Sequence, residues 1–318
     1  MIDFGHLPKP QNGTIDYFPG FSTTAGGEWE VWNKPRNCMF IRILCIGGGG
    51  GGGSGFPSAT TNARGGGAGG GASGMTYLTI PAIFIPDRLY VSAGVGGRGG
   101  ASSTTVGNSG TQGIQSYVCI APSTANIYNL CFSVRMSGDA GGGTNIAGGS
   151  PFNAISGPTV STCNQAFQGH FNSFASHAGR DGGTAAGSTP TGVIYPATGL
   201  LLSGGGGGAG GAGFAGGDIT APASQTSVYE LFQTLTGGAA GTVGSTVGGN
   251  GSDGVELYQP LLATGGSGGG SSFDGTARGG DGGDGGFGCG GGGGGAGGTD
   301  GGGAGGNGGP GLVVIHTW

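Results

Sequence analysis

Short apolar runs alternate with glycine tracts along most of the chain. CMFIRILCIG (38–47) leads directly into a glycine tract, DRLYVSAGVGGRGG (87–100) repeats this order, and LVVIHTW (312–318) follows the last tract. Apolar runs of about four to eight residues bounded by glycine are typical of buried strands. The pattern therefore predicts strands in these runs and in further apolar runs, namely 27–33, 75–80, 114–120, 127–134 and the start of 193–217.

Two segments have the period of an amphipathic helix instead. Residues 227–238 begin with Ser227 and Glu230, which match a capping box, and their apolar side chains share one face. Residues 163–179 place three phenylalanines at positions i, i+4 and i+7. We therefore predict one or two short helices in a chain that is otherwise mostly β.

Glycine accounts for 89 of the 318 residues, which is too much for ordinary linkers. The repeat G-G-X in 279–299 suits a polyglycine-II helix, which has three residues per turn and about 3.1 Å of rise. Helices of this kind packed side by side satisfy one another's backbone groups. The repeat predicts that two glycines face neighbours and that X faces outward, at Asp281, Asp284, Phe287, Gly290, Gly293, Ala296 and Thr299.

These patterns together predict a mostly β protein with a polyglycine-II helix bundle or sandwich. Strands flank the glycine tracts, and we expect the 38–46 strand to pair with the 312–318 strand. Residues 1–37 have few glycines and many aromatic side chains, so we interpret them as an attachment segment. The glycine-rich domain spans 38–318, with an insertion at about 150–200.

Charge and composition exclude several function classes. The chain has a net charge of −5 and only 10 Lys and Arg residues, so it lacks the basic footprint of a nucleic-acid-binding protein. No apolar run approaches the roughly 20 residues that span a bilayer, so we expect no membrane insertion. The first residues, MIDFGHLPKPQNG, lack the features of a secretion signal, and we expect synthesis in a host cytoplasm.

Candidate chemistry in the sequence is sparse. Six cysteines occur without a C-x-x-C motif, which favours buried free thiols over a zinc site. GGDGGDGGF (279–287) matches a calcium-binding repeat only in part, so we interpret its aspartates as outward-facing and solvated. His170 and His177 lie seven residues apart, a spacing that a polar helix face also explains. We therefore predict no enzymatic activity, no metal and no cofactor.

The order of parts is more informative than any single motif. CIGGGGGGG, VSAGVGGRGG and GGNGGPGLVVIHTW occur in this order and resemble the glycine-rich domains of bacteriophage tail fibres and virion spikes. The chain is similar to the glycine-rich adhesins at the fibre tips of T-even-type phages. That resemblance implies stacked polyglycine helices, loops that contact a host receptor, and an N-terminal part that attaches to the fibre.

The resemblance gives the expected partners and sites. We expect a virion protein that binds other virion proteins through its N-terminal segment and a protein or glycan of the host surface through its loops; it is also a candidate homo-oligomer. Aromatic and histidine side chains of the insertion are the receptor-binding candidates: Phe152, Phe167, His170, Phe171, Phe174, His177 and Tyr195. The anchoring candidates are Phe4, Tyr17, Phe18, Phe21, Trp29 and Trp32.

The sequence leaves two alternative functions open. The same fold suits a capsid or tail component that has symmetric subunit contacts in place of receptor contacts. Some antifreeze proteins are also bundles of polyglycine helices, with a flat face of small residues. Asp281, Asp284 and Phe287 at outward positions suit such an ice-binding face poorly.

Overall fold

The computed structural model describes residues 13–58, 64–133, 140–144, 173–177, 236–241, 247–258, 261–273 and 275–318. Strands are the main regular element in this part of the chain, with one short 3-10 helix at Ala82–Phe84. The prediction of a mostly β protein is therefore confirmed. None of the helices in these residues is long and apolar enough to cross a membrane.

The described residues contain eleven strands. They are β1 (Thr14–Pro19), β2 (Glu30–Asn33), β3 (Phe40–Ile46), β4 (Met75–Pro81), β5 (Arg88–Ser92), β6 (Ser116–Cys119), β7 (Asn129–Ser133), β8 (Ser173–His177), β9 (Glu256–Tyr258), β10 (Leu261–Ala263) and β11 (Leu312–Thr317). The apolar runs chosen from the sequence contain β2 to β7 and β11, apart from single end residues, so those strand predictions are confirmed. The predicted strand at the start of 193–217 lies outside the described residues.

The strands form three antiparallel sheets. The five-stranded sheet has the order β1-β11-β3-β4-β8, the four-stranded sheet has the order β2-β5-β6-β7, and β9 pairs with β10. In the larger sheet Ile315 of β11 lies opposite Ile43 of β3. The predicted pairing of these two strands is therefore confirmed. β1 and β2 pair with β11 and β5, so residues 14–33 join both main sheets through backbone hydrogen bonds.

The core lies between the two larger sheets, which pack face to face as a β-sandwich. Alternate residues of each strand point into it because side chains in a strand project to opposite faces in turn. The core includes fully buried Ile43 and Leu78 from one sheet and Leu89 and Val118 from the other. Each such side chain contributes about 1.5–3 kcal/mol of hydrophobic stabilisation.

The helix predicted at 163–179 is wrong at its end, because residues 173–177 form strand β8. β8 pairs with the edge of β4, with Ala175 opposite Tyr77. An edge strand presents unpaired backbone groups. A segment that pairs with them gains more stability than it would gain by forming a helix whose amphipathic period is weak. The other predicted helix, at 227–238, lies almost entirely outside the described residues.

The glycine tracts form a layered array beside the sandwich. The array consists chiefly of nine runs of seven to twelve described residues that are hydrogen-bonded to one another: run 1 (47–58), run 2 (64–74), run 3 (94–100), run 4 (106–114), run 5 (247–255), run 6 (264–273), run 7 (277–286), run 8 (288–298) and run 9 (301–311). Runs 5, 7, 9 and 3 are hydrogen-bonded side by side in an outer layer, and runs 6, 8, 1 and 4 form a second layer. Run 2 lies against runs 1 and 8.

Backbone hydrogen bonds between the runs repeat every third residue. In run 1, consecutive N–H groups donate in rotation to three neighbours at 2.8–2.9 Å: Gly49, Gly52 and Gly55 to run 9, Gly50, Gly53 and Phe56 to run 2, and Gly48, Gly51 and Ser54 to run 4. Run 8 exchanges backbone bonds with five neighbours, namely runs 1, 2, 6, 7 and 9. Every residue of run 8 is buried although it has almost no side chains.

Glycine is required in these runs because the neighbouring backbones are in contact. A Cβ at Gly295 would lie 1.9 Å from the carbonyl oxygen of Gly270, and one at Gly52 would lie 2.1 Å from that of Gly292. Ordinary van der Waals contact begins beyond 3.4 Å. Any larger residue at these positions must therefore separate the runs and break their hydrogen bonds.

The outward orientation predicted for the X positions holds in only part of 279–299. Runs 7 and 8 are antiparallel and joined by a turn at Gly288, whose φ of +68° favours glycine. Asp284 is exposed and Asp281 is half-buried, as expected. The prediction is wrong for Phe287, Gly290, Gly293 and Ala296, which are all buried, because the chain turns back into the centre of the array.

A second apolar cluster connects the array to the larger sheet. Phe287 and Cys289, at the turn between runs 7 and 8, pack with Ile46, Met75 and Leu312 at the strand ends nearest the array. These strand ends continue directly into runs 1, 2 and 9, so the covalent chain and the apolar cluster join the same two parts. The sandwich and the array therefore share one packed boundary.

The buried cysteines are free thiols, as predicted, at Cys45, Cys119, Cys131 and Cys289. Cys38 is half-buried, and Cys163 lies outside the described residues. Burial raises the pKa of Cys119 to about 12, from an ordinary value of 9.0. Its Sγ donates a hydrogen bond to Oδ1 of Asn129 at 3.0 Å, which requires the neutral thiol.

The close backbone approach predicts a large effect of a single methyl group. Gly295→Ala should lower the free energy of unfolding by about 3 kcal/mol, because overpacking with no room to relax costs at least as much as in ordinary cores. Arg98→Ala is the control, since Arg98 is exposed at an outward position of run 3. Urea unfolding of both variants measures the difference, and equal stabilities would contradict the proposed constraint.

The Cys119 thiol predicts a pH dependence of stability. Above pH 9.0 the unfolded thiol ionises while the folded one stays neutral until about pH 12. The contribution of the neutral Cys119 thiol to the free energy of unfolding is therefore complete below pH 9.0. It is lost between pH 9.0 and about pH 12, at a slope of about 1.4 kcal/mol per pH unit. Cys119→Ser keeps the hydrogen bond but does not ionise. Chemical unfolding from pH 8 to 11 should show the extra slope in the unsubstituted chain only.

Candidate functional site

The outer face of the five-stranded sheet carries aromatic and cationic side chains. Inward positions of β3 and β11 hold the core, so Phe40 and Arg42 on β3 and His316 on β11 point away from it. Trp318 follows β11, and its backbone carbonyl accepts the N–H of Phe40. Tyr77 lies on β4 on the same face. We name these five residues the aromatic platform.

The platform residues contact one another in two groups. The rings of Phe40 and Trp318 lie nearly parallel, with centroids 5.8 Å apart and planes 20° apart, and His316 lies 5.0 Å from Trp318. Arg42 places its Cζ 5.4 Å above the ring of Tyr77, which is a cation–π contact. Phe40 is 37% exposed and Arg42 is exposed. A ligand on this face therefore meets ring surface and a guanidinium group together.

The β9–β10 hairpin covers the other half of this face, next to the array. Tyr258 packs edge-on against Tyr17, with centroids 5.2 Å apart, and against Phe287 at 4.9 Å. Burial raises the pKa of Glu256, and burial followed by the charge of Glu256 raises the pKa of Tyr258. Among the described residues, the hairpin thus covers the half of the face next to the array and leaves the half with the platform open.

Two predicted receptor-binding residues belong to the sheet that bears the platform. The backbones of Phe174 and His177 lie in β8, opposite Leu78 and Met75 of β4. The insertion therefore adds a strand to this sheet. The remaining candidates lie outside the described residues, and their role stays a prediction: Phe152, Phe167, His170, Phe171 and Tyr195.

The predicted anchoring residues are mostly held against the sandwich. Phe18 and Phe21 pack against the core, Tyr17 contacts the hairpin, and Trp29 lies 6.5 Å from Tyr117. Trp32 is buried, and its Nε1 donates to Oδ2 of Asp16 at 2.8 Å, which ties β2 to β1. Phe4 lies outside the described residues. Attachment through this segment stays a prediction.

A second surface lies at the end of the sandwich away from the array. A cavity of about 580 Å³ is lined by residues that include Lys34, Arg36, Asp87 and Arg88. Lys34 is already bound, since its Nζ donates to two backbone carbonyls and lies 3.1 Å from Asp87. Three large apolar side chains are exposed here: Ile83, which lines the cavity, at 84%, and Met39 and Phe84, next to lining residues in the chain, at 71% and 46%. We name this the end surface.

The aspartates of GGDGGDGGF accept hydrogen bonds from neighbouring backbone, and Asp281 also forms an ion pair with Arg278 at 2.6 Å. Oδ1 of Asp281 accepts the N–H of Ala304 and Oδ1 of Asp284 accepts the N–H of Asn307, both at 2.7 Å. In the same way Oδ1 of Asp253 accepts the N–H of Asp284 at 2.8 Å. Each side chain thus satisfies an outward N–H of the next run in the outer layer, an arrangement that we name the aspartate ladder.

Sequence reasoning missed the platform because its residues come from distant segments. His316 appears isolated in the sequence, and Trp318 suggests only a core or subunit contact. The available indication is the alternation in CMFIRILCIG and LVVIHTW, which places Phe40 with Arg42 and His316 with Trp318 on single strand faces. Combining the two pairs requires the register of β3 against β11.

Most of the chain matches a family of known sequences. Residues 23–289 match a family model described as a glycine-rich domain, which covers more than half of the chain. No curated protein matches the chain. The matched segment includes most of the described strands and runs 1 to 7.

The aspartate ladder predicts a difference between two substitutions of one residue. Asp284→Ala removes the acceptor for the Asn307 N–H and should lower the free energy of unfolding by about 1 kcal/mol. Asp284→Asn keeps an Oδ1 acceptor and should stay within about 0.5 kcal/mol of the unsubstituted chain. Urea unfolding measures both, and an equal loss in the two variants would show that charge, and not the hydrogen bond, matters.

Proposed function

The chain belongs to the glycine-rich domain family, and we propose that it is a structural protein of a bacteriophage virion. In this proposal it is a receptor-binding spike or fibre-tip adhesin that recognises the host surface. It acts by surface complementarity and without catalytic turnover. The resemblance of its motif order to tail-fibre adhesins motivates the proposal.

We further propose that the glycine runs are polyglycine-II helices. Such a helix has three residues per turn, so consecutive N–H groups point in directions about 120° apart. The rotation of run 1 donors among runs 9, 2 and 4 has this period, which supports the assignment. The fold would then be a sandwich of strands continued by a bundle of polyglycine-II helices.

The observation that carries the proposal is the position of the aromatic platform on a sheet continued by the array. β3, β4 and β11 each connect directly to a glycine run in which backbone atoms pack against backbone atoms. Such an array has few side chains that change conformation, so it holds the attached sheet rigidly. A rigid body with one open patch of rings and a cation suits recognition of a surface molecule.

A second candidate function is a capsid or tail component without a receptor. The end surface favours it, because three large apolar side chains lie exposed beside a cavity with basic residues. Exposed apolar patches often mark protein interfaces. In the adhesin proposal this same surface suits attachment to another virion protein.

Ice binding is less favoured than either virion role. The outer layer of the array presents Asn250, Asp253, Asp284, Asn307 and Arg98 outward, and most of these side chains bond to neighbouring backbone. The outer layer therefore does not present a flat face of small residues to solvent.

Immunogold electron microscopy tests the proposal directly. Antibody against the purified chain is applied to phage particles from the lysate that contains the protein, and we expect gold at fibre or spike tips. A non-immune antibody of equal concentration is the control. Gold spread over the shell would favour the non-adhesive component, and absence of gold from all particles would contradict a virion role.

A further inference from the structure

We propose that the aromatic platform binds an acidic oligosaccharide. A carboxylate of the sugar lies on Arg42, and pyranose rings lie against Phe40 and Trp318. This inference rests on the proposed host-recognition function and names the chemical class of the receptor. It assigns the binding to described residues of the sheet, in addition to the insertion residues expected from the sequence.

The charge of the platform face favours an anionic ligand. The outward positions of β1, β11, β3 and β4 within the described chain hold no Asp or Glu, although the whole protein has a net charge of −5. Glu256 lies on the β9–β10 hairpin near Tyr258, on the covered half of the face. Arg42 is exposed, and its cation–π contact with Tyr77 orients the guanidinium group. Arginine donates two parallel hydrogen bonds to a carboxylate, a geometry that a neutral sugar does not match.

The register places a second polar group beside Arg42. His316 lies directly opposite Arg42 in the β3–β11 pair, and Ile15 and Thr79 complete the same row on β1 and β4. Side chains that are directly opposite lie about 4.5–5.5 Å apart at Cβ, so one sugar ring reaches both. The imidazole then adds a hydrogen bond to a sugar hydroxyl.

The ring pair supplies the apolar contact that sugars use. Phe40 lies two residues before Arg42, and Trp318 lies two residues after His316. Both rings are therefore about 7 Å along the strands from the Arg42 and His316 row. The two rings are stacked on each other with centroids 5.8 Å apart, and the Phe40 side chain stays 37% exposed. The C–H groups of a pyranose pack against such rings while its carboxylate remains on Arg42.

The size of the open area favours a glycan over a protein on this face. Beyond the part covered by the β9–β10 hairpin, the face carries one row of Ile15, His316, Arg42 and Thr79 and a second row with Phe40 and Trp318. A standard protein interface uses about 20–30 residues on each side. The open rows offer far fewer, which suits two or three sugar residues.

Isothermal titration calorimetry of the full chain tests the inference. The probes are tetragalacturonate, its fully methyl-esterified form, and 3′-sialyllactose. We expect binding of at least one of the two acidic probes and, where tetragalacturonate binds, about tenfold weaker binding of its ester. Binding of neither acidic probe overturns the proposal, and so does equal affinity for tetragalacturonate and its ester.

Substitutions assign the charge to one residue. Arg42→Gln should weaken acidic-probe binding about tenfold and leave the affinity for the ester unchanged, because the ester has no carboxylate for Arg42 to bind. Arg98→Gln is the matched control, since it removes an exposed arginine from the outer layer of the array, and it should bind like the unsubstituted chain. An equal loss in both variants overturns the assignment.

Phe40→Leu tests the ring contact without leaving a cavity. It should weaken the binding of the acidic probe and of the ester by the same factor, about fivefold, because the ring contacts sugar C–H groups and not the carboxylate. Thermal unfolding and circular dichroism check that each variant is folded. Unchanged affinity in the folded variant removes Phe40 from the site and overturns the proposed stacking.

A cell-binding assay separates failure of this inference from failure of the proposed function. Fluorescently labelled chain is incubated with the bacteria that yield the particles. Binding that Arg42→Gln leaves unchanged overturns the glycan site and keeps the adhesin proposal. No cell binding by the unsubstituted chain contradicts the adhesin role, and calorimetry still decides the platform independently.

Discussion

Direct contact between neighbouring backbones is the constraint on which this structure depends. Gly295 and Gly52 approach carbonyl oxygens so closely that even a methyl group does not fit. The absent side chains allow N–H and C=O groups of adjacent runs to bond to each other, so a buried run such as run 8 leaves few backbone groups unpaired. A hydrophobic core buries side chains, whereas this array buries the main chain itself.

The array also determines how the rest of the molecule is held. Strands β3, β4 and β11 are continuous with its runs, and Phe287, Ile46 and Leu312 pack together at the boundary between the array and the sheet. The outer layer needs a different device because one side of each run faces water. There the aspartate ladder supplies side-chain acceptors for outward N–H groups, as Asp284 does for Asn307. Polar residues in the G-G-X repeat therefore have a structural role beyond solubility.

The proposed recognition surface lies on a conventional sheet and not on a glycine run. The array offers mainly backbone and small side chains, whereas alternation in β3 and β11 brings Phe40, Arg42 and His316 to one open face. The β9–β10 hairpin closes the neighbouring half of the face through Tyr258. Support and recognition are thus divided between two kinds of structure that share one chain.

The sequence by itself determined strands β2 to β7 and β11, the need for glycine at closely packed positions, and the buried state of cysteines such as Cys45. These properties follow from local alternation, composition and repeat, which are visible within a few residues. Only the tertiary structure decided that run 8 is central, that residues 173–177 extend the sheet at β4, and that Arg42 lies opposite His316. Each of these depends on which distant segments pair and in which register, and glycine runs of nearly identical composition do not specify their neighbours locally.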